Sequence, residues 1–147
     1  MTGALVGDLL RARVRLRGIL LGRPVDVILD RGHRRALGFE VHCGDGVRRF
    51  LPFTVARFGD ETLAITSSLL LLDGSELRFY TDRGSTFASL RNCPVCRDGK
   101  LLGPLQDMRV SGAGEIEALV ARTQRGRLEV PYDQRITLGP RDARAAS

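Results

Sequence analysis

An internal repeat is the sequence feature that most restricts the fold. When residues 8–26 are aligned with residues 89–107, seven of the 19 positions are identical. Unrelated segments of this composition would share about one or two. The identities are Leu9 with Leu90, Val14 with Val95, Gly18 with Gly99, Leu20-Leu21-Gly22 with Leu101-Leu102-Gly103, and Asp26 with Asp107. The chain is therefore one structural unit used twice.

Each unit is predicted to consist of short strands separated by turns. In the first unit, turns are predicted around Gly18 and Gly22, residues 24–29 and 37–41 are β-rich, and residues 44–46 form a hairpin loop. The second unit repeats this plan with strands at 105–110, 116–121 and 128–130. Five or so short antiparallel strands with one apolar face close most economically as a small barrel. The expected fold is mainly all-β, with two tandem small antiparallel β-barrels.

A segment between the units interrupts the strand pattern. It contains the turn Asp73-Gly74, after which Ser75 is predicted to cap a short helix at 76–82 that stops at Gly84. We therefore expect a first barrel at 1–66, a short helical or irregular linker at 67–88 and a second barrel at 89–147.

Charge and hydropathy narrow the expected location and partners. The net charge is +6, but 22 of the 23 basic residues are Arg, and residues 1–84 and 85–147 each carry +3. A dedicated nucleic-acid protein more often concentrates its charge. The longest aliphatic run, 69–72, is far shorter than the roughly 18 apolar residues that a transmembrane helix needs. The start of the chain lacks the pattern of a signal peptide, so a cytoplasmic location is expected.

The repeated pattern resembles the PRC-barrel superfamily. The motifs that carry the resemblance are Val14 with Gly18-x-Leu20-Leu21-Gly22, Asp26, the alternation at 37–41 and Leu51-Pro52-Phe53. Their counterparts are Val95, Gly99, Leu102-Gly103, Asp107, residues 116–120 and Val130-Pro131-Tyr132. The resemblance covers nearly the whole chain apart from the linker and the tail. It implies two tandem PRC-like barrels that lack catalytic residues and act as a protein–protein adaptor.

A run of alternating arginines is the favoured binding surface. Arg11, Arg13, Arg15 and Arg17 would all lie on one face of a strand, where they could contact phosphates or an acidic partner. Their counterparts in the second unit are not basic, so the barrel itself does not require them. A plain solvated surface is the favoured interpretation of the run, and if any surface binds an anionic partner, this run is the expected one. If the run binds RNA, the protein would be an RNA- or ribosome-associated factor.

Cys93 and Cys96 form a C-x-x-C motif, which is typical of redox sites or of half a zinc site. The other candidate ligands, His33, His42 and Cys43, all lie in the first unit. The counterparts of the two cysteines are Ala12 and Arg15, so we favour a structural interpretation and keep a metal or redox role as the alternative. The odd total of three cysteines fits a reducing compartment.

No catalytic group stands out in the sequence. Asp26 and Asp107 recur in both units, which indicates a structural hydrogen bond rather than acid–base catalysis. His33 and His42 have no nucleophile or carboxylate at local spacing. We expect a non-enzymatic protein without a cofactor. A protein partner is favoured, and homo-oligomerisation is left open.

Overall fold

A computed structural model describes residues 3–139 of the protein. Strands account for 54% of the residues and helices for 19%, so the predicted mainly-β class is confirmed. Within the described residues the strands form a seven-stranded sheet and a six-stranded sheet. The closure of each sheet into a barrel stays a prediction.

Thirteen strands, three α-helices and two short 3-10 helices, Phe53–Val55 and Ser68–Leu70, form the regular secondary structure of residues 3–139. In chain order the strands are β1 (Ala4–Leu5), β2 (Arg13–Leu16), β3 (Ile19–Leu29), β4 (Ala36–Cys43), β5 (Arg48–Pro52), β6 (Arg57–Gly59), β7 (Thr62–Ile65), β8 (Ser85–Thr86), β9 (Pro94–Arg97), β10 (Lys100–Val110), β11 (Ile116–Thr123), β12 (Gly126–Pro131) and β13 (Ile136–Leu138). The helices are α1 (Val6–Arg11), α2 (Gly74–Arg83) and α3 (Phe87–Leu90). None of these helices has the length and apolar character that a bilayer-spanning helix requires.

The repeat in the sequence is also a repeat in the structure. The first sheet contains the order β5-β4-β3-β2, and the second contains the equivalent order β12-β11-β10-β9. The equivalent strands β3 and β10 are equal in length, and so are β4 and β11. The predicted hairpin loop at 44–46 is confirmed between β4 and β5. The predicted turn at Gly22 is wrong, because Gly22 lies inside β3, where its Cα packs against the carbonyl of His42.

One apolar core serves both units. Alternate residues of β3 and β4, such as Val27, Phe39 and Val41, are buried together with Leu105 and Leu119 of the second sheet. The alternation of apolar side chains on each strand places one face of each sheet in this core. The two units therefore fold as one packed body.

The predicted linker helix exists but begins earlier than expected. It is α2, and its N-cap is Asp73 rather than Ser75, because the Asp73 carboxylate accepts the backbone N–H groups of Ser75 and Glu76. The ring of Tyr80 stacks on Phe50 of β5 with 4.4 Å between centroids. Leu72 and Phe50 exchange both of their backbone hydrogen bonds, at 2.7 and 2.9 Å. The linker thus covers the outer edge of β5.

The two units exchange their first strands. β1 precedes the first unit but pairs with β10 of the second sheet, whereas β8 precedes the second unit but pairs with β3 of the first. The two pairings are equivalent, because Ala4 and its partner Val110 correspond in the repeat to Ser85 and its partner Leu29. The predicted boundaries at 66/67 and 88/89 stay a prediction. The pairings of β1 and β8 join residues that lie on opposite sides of these boundaries.

Two equivalent aspartates also link the two units, through hydrogen bonds. The Asp107 carboxylate accepts the N–H of Gly7 in α1 at 3.0 Å and that of Met108 at 2.8 Å. Its counterpart Asp26 accepts the N–H of Ala88 in α3 at 3.1 Å and that of Val27 at 2.9 Å. Each aspartate therefore satisfies a first-turn N–H of the helix that leads into the other unit. The structural hydrogen bonds predicted for the recurring residues Asp26 and Asp107 are therefore confirmed.

The same two-fold relation continues at the centre of the interface. Ala36 donates its N–H to the carbonyl of Gly114 at 2.7 Å, and Ile116 donates to the carbonyl of Arg34 at 3.0 Å. The two bonds are equivalent, because Ala36 and Ile116 are the first residues of the equivalent strands β4 and β11. Between them, Arg35 and Glu115 form an isolated β-bridge, so the local two-fold axis passes through that pair.

Asp26 gives the stability of the protein a specific pH dependence. Burial, the largest cause, raises the pKa of the Asp26 carboxyl above its ordinary value; the hydrogen bonds from Ala88 and Val27 oppose that shift, and Glu40 adds to it. The protonated carboxyl therefore favours the folded state. Its contribution to stability is present below about pH 4 and is lost as the pH rises through the folded-state pKa.

We expect the stability of Asp26→Asn, relative to that of the wild type, to be higher at neutral pH than in acid. Asparagine keeps an acceptor for the Ala88 N–H but cannot ionise. The difference in unfolding free energy, variant minus wild type, should be more favourable to the variant at about pH 7 than at about pH 4. Urea unfolding of both proteins at the two pH values measures this difference. Equal differences at both pH values would show that the Asp26 pKa is not raised on folding.

Candidate functional site

The structure separates the four arginines that the sequence placed on one strand. Only Arg13 and Arg15 lie in β2, whereas Arg11 is the last residue of α1 and Arg17 has a left-handed φ of 50° before Gly18. The prediction that all four share a strand face is therefore wrong. Ala12 ends α1 and Gly18 forms the β2–β3 turn, so the extended part is limited to the short strand β2.

Local contacts engage two of these arginines. Arg11 forms an ion pair with Asp8 one turn earlier in α1. The guanidinium of Arg15 donates to the carbonyl of Gly18 at 3.0 Å, which directs it along the strand towards the β2–β3 turn. Among the described residues, the guanidinium groups of Arg13 and Arg17 make no side-chain hydrogen bond. Arg13 is exposed, so it is available to an outside acceptor.

A third strand adds an arginine that sequence reasoning missed. β7 lies parallel to β2, with Arg15 opposite Ala64, and β6 lies antiparallel to β7, with Ala64 opposite Arg57. Directly opposed residues share a sheet face. Arg15 and Arg57 therefore stand on one face, two strands or roughly 10 Å apart. We call Arg13, Arg15 and Arg57, with Thr62 and Ala64 between them, the basic face.

Positive charge on the basic face is not neutralised by neighbouring carboxylates. None of the ion pairs within residues 3–139 includes Arg13, Arg15 or Arg57. The β6–β7 turn contains the acidic residues Asp60 and Glu61, and the Glu61 carbonyl accepts the backbone N–H of Arg13. Three guanidinium groups on one exposed sheet face attract carboxylates or phosphates.

An apolar groove adjoins the basic face. It has a volume of about 870 Å³ and lies between the end of the first unit and the exchanged strand β1 with the end of β10. Its apolar lining includes Phe39, Phe53, Val55, Phe58, Leu63 and Ile65. The rings of Phe39 and Phe53 stack at 5.2 Å and form its floor. Arg57 and Ala64 of the basic face are also among the residues that line the groove. Phe58, Leu63 and Ile65 point away from the basic face, because alternate residues of β6 and β7 lie on opposite faces of the sheet.

The two units differ at the position of this groove. In the first unit the last strand, β7, runs parallel to β2 and is followed outwards by β6. In the second unit β13 runs antiparallel to β9, with Ile136 buried and Leu138 packed on the core. Phe58 of β6 remains 38% exposed. A ring left this exposed at the mouth of an apolar groove is available for contact with a partner.

The three cysteines lie in different parts of the fold. Cys96 is buried in β9, and Cys93 lies half-buried in the turn before it, where its thiol donates to the carbonyl of Ser89. Cys43 is buried in β4, in the other sheet. Within residues 3–139 no three His, Cys, Asp or Glu side chains are grouped as a metal ion would need.

Comparison with known proteins adds no further information about the site. Neither the models of protein families nor the curated proteins contain a match to this sequence. The function is therefore inferred from the basic face and the apolar groove.

Proposed function

We propose that this protein is a non-catalytic, cytoplasmic docking module built from two PRC-barrel-like units, and that it binds an extended segment of another protein. Apolar side chains of that segment enter the groove, and acidic residues next to them contact Arg13, Arg15 and Arg57. The observation that carries the proposal is the position of Arg57, which belongs to both the groove and the basic face.

The size and chemistry of the groove support an apolar peptide segment as its occupant. Protein pockets that bind ligands typically have volumes of about 300–1,000 Å³, apolar walls and a few polar groups that fix orientation. The groove, at about 870 Å³, falls in that range and combines phenylalanine and aliphatic walls with one arginine among its lining residues. Several apolar side chains of an extended peptide would fit into it and displace water.

Charge supports an acidic partner. Complementary charges at the rim of an interface increase the rate of association and select the partner. The basic face has three arginines without an ion-pair partner in residues 3–139. In an extended peptide an acidic residue next to an apolar one points to the opposite side of the chain, so the apolar side chain can enter the groove while its acidic neighbour points towards the basic face.

The internal repeat supports the PRC-barrel assignment. Val14 and Gly18 belong to the β2–β3 hairpin, and their counterparts Val95 and Gly99 belong to the β9–β10 hairpin. Both units thus place the family-like motif in the same pair of strands. The non-catalytic role is supported by Asp26 and Asp107, since both carboxylates accept backbone N–H groups.

We expect the double variant Arg15→Glu/Arg57→Glu to lose peptide binding. A phage-displayed library of random peptides is selected on the wild-type protein, and enriched peptides should combine apolar residues with Asp or Glu. Their dissociation constants should rise at least about tenfold in the double variant, because attraction becomes repulsion on both sides of Ala64. Fluorescence anisotropy with the enriched peptides measures this change.

A control and an alternative complete the experiment. Arg125→Glu/Arg122→Glu makes the same change in net charge on the second unit and should leave peptide affinity unchanged. Enriched peptides without acidic residues, or equal binding by both double variants, would contradict the proposal.

A single-stranded RNA oligonucleotide is tested in parallel. If it binds with a steep salt dependence that the Arg15→Glu/Arg57→Glu change removes, the RNA- or ribosome-associated function replaces the adaptor.

A further inference from the structure

The outer edge of β12 is a strand edge of the second unit that has no partner in residues 3–139. β12 is the last strand of its sheet and pairs only with β11. Its first four residues are exposed. The equivalent edge in the first unit, that of β5, is covered by Leu72 of the linker.

The internal repeat shows that this edge of the unit accepts a strand. Phe50 of β5 corresponds to Glu129 of β12, because both lie opposite equivalent residues of the neighbouring strand, Glu40 and Val120. Phe50 exchanges its N–H and C=O with Leu72 through two hydrogen bonds, at 2.9 and 2.7 Å. The corresponding groups of Glu129 are therefore aimed outwards.

The hydrogen bonds on the inner side of β12 fix the same alternation independently. Tyr132 donates its N–H inwards, to the carbonyl of Glu117 at 2.9 Å. Alternate residues of a strand direct their backbone groups to the same side. Val130 and Leu128 therefore face β11, whereas Arg127 and Glu129 present their N–H and C=O groups outwards. Pro131, which has no N–H, occupies the next outward position, as is usual on an edge strand.

We propose that a second copy of this chain pairs with the first along β12, antiparallel and with the two-fold axis at Leu128. In this register, Arg127 lies opposite Glu129 of the second copy, and Glu129 lies opposite its Arg127. Each of these two opposed pairs exchanges two backbone hydrogen bonds, which gives four in total. The proposal goes beyond the docking function and uses a different surface.

Charge selects this register over its neighbours. A two-fold axis at Glu129 would place Glu129 opposite itself, and an axis at Arg127 would place Arg127 opposite itself. Like charges directly opposite one another destabilise a strand pair, and opposite charges stabilise it. Only the axis at Leu128 opposes unlike charges at both outward positions. It also brings the two Leu128 side chains, each 38% exposed, beside one another.

The side chains of the pair remain partly available for this contact. Glu129 is bound by Arg109 at 2.6 Å, but its side chain is still 41% exposed. Arg127 lies 3.7 Å from Asp107 and its side chain is 54% exposed. A carboxylate has several acceptor positions, so Glu129 can keep Arg109 and also accept from Arg127 of a second copy.

The test is a charge exchange on β12, measured by sedimentation equilibrium. The wild type should form dimers, and Arg127→Glu should raise the dimer dissociation constant at least about tenfold, because each of two attractive pairs becomes repulsive. The double variant Arg127→Glu/Glu129→Arg exchanges the charges and should restore most of the dimer. Arg48→Glu, at the equivalent position of the covered strand β5, is the matched control and should leave the dimer unchanged.

Hydrogen exchange locates the interface. In the wild type, protection of the Arg127 and Glu129 amides should increase with protein concentration, whereas that of Leu128, which already faces β11, should not. A wild type that stays monomeric at about 0.5 mM, or a dimer that Arg127→Glu leaves intact, overturns the proposal. A dimer that forms only after removal of residues 140–147 also overturns the proposal, because those residues of the same chain would then be the partner of the β12 edge. Circular dichroism confirms that each variant is folded.

Discussion

Gly84→Ala should destabilise the protein by about 3 kcal/mol. A Cβ at Gly84 would lie 2.0 Å from the carbonyl oxygen of Leu29, a backbone atom that cannot move without disturbing β3. Relief of this overlap requires β8 to leave β3, which removes the pairing of Ser85 with Leu29 and of Thr86 with Ile28. The midpoint of urea unfolding, followed by circular dichroism, measures the loss.

Gly74→Ala is the control for this substitution. No atom lies within 4 Å of a Cβ at Gly74, and the residue begins α2, where alanine is a better helix former than glycine by about 1 kcal/mol. This variant should be neutral or slightly more stable. Equal midpoints for Gly84→Ala and the wild type would mean that β8 does not pack as closely on β3 as the structure shows.

Asp107→Ala should cost about 2–3 kcal/mol of unfolding free energy. Asp107 is only 8% exposed, and its removal leaves the N–H groups of Gly7 and Met108 without their acceptor. Because one of these groups belongs to the other unit, the substitution also loosens α1 from the second sheet. Urea unfolding gives the cost, and hydrogen exchange at the Gly7 amide reports the loosening directly.

Asp107→Asn separates the hydrogen bonds from the rest of the side chain. Asparagine keeps an acceptor oxygen and loses the negative charge that faces Arg109 and lies 3.7 Å from the exposed Arg127. Exposed ion pairs of this kind are worth roughly 1 kcal/mol or less. Asparagine should therefore be much milder than alanine. If both variants cost the same, or if the Gly7 amide exchanges at the wild-type rate in Asp107→Ala, then Asp107 does not hold α1.

Local patterns in the sequence predicted much of each unit. Gly44-Asp45-Gly46 is a turn signal between two apolar runs, and β4 and β5 meet there. The internal repeat predicted that β3 and β10 would be equivalent. These predictions succeeded because alternation and turn chemistry act between residues that are near in the chain.

The exchange of β1 and β8 could not be predicted in this way. Asp26 would hydrogen-bond a helix N–H equally well if that helix belonged to its own unit, so the repeat pattern is the same in both arrangements. The choice depends on tertiary contacts, such as the close approach of Gly3 to the carbonyl of Val110 and of Gly84 to that of Leu29.

The candidate site was predicted only in part for a related reason. Arg13 and Arg15 were correctly placed on a strand, but Arg57 is distant in sequence and reaches the same face only through the parallel pairing of β7 with β2. No local signal encodes that pairing. Arg11 and Arg17 were misplaced because the short helix α1 and the Arg17-Gly18 turn interrupt the alternation.

The exchanged strands delay the pairing of β1 until late in translation. Ala4 pairs with Val110, so it leaves the ribosome long before its partner does. At typical translation rates of about 5–20 residues per second, the earliest strand waits roughly 5–20 s without a sheet to join. For most of that interval the nascent first unit also lacks β8, and chaperones that shield unpaired strand edges have their longest opportunity to act.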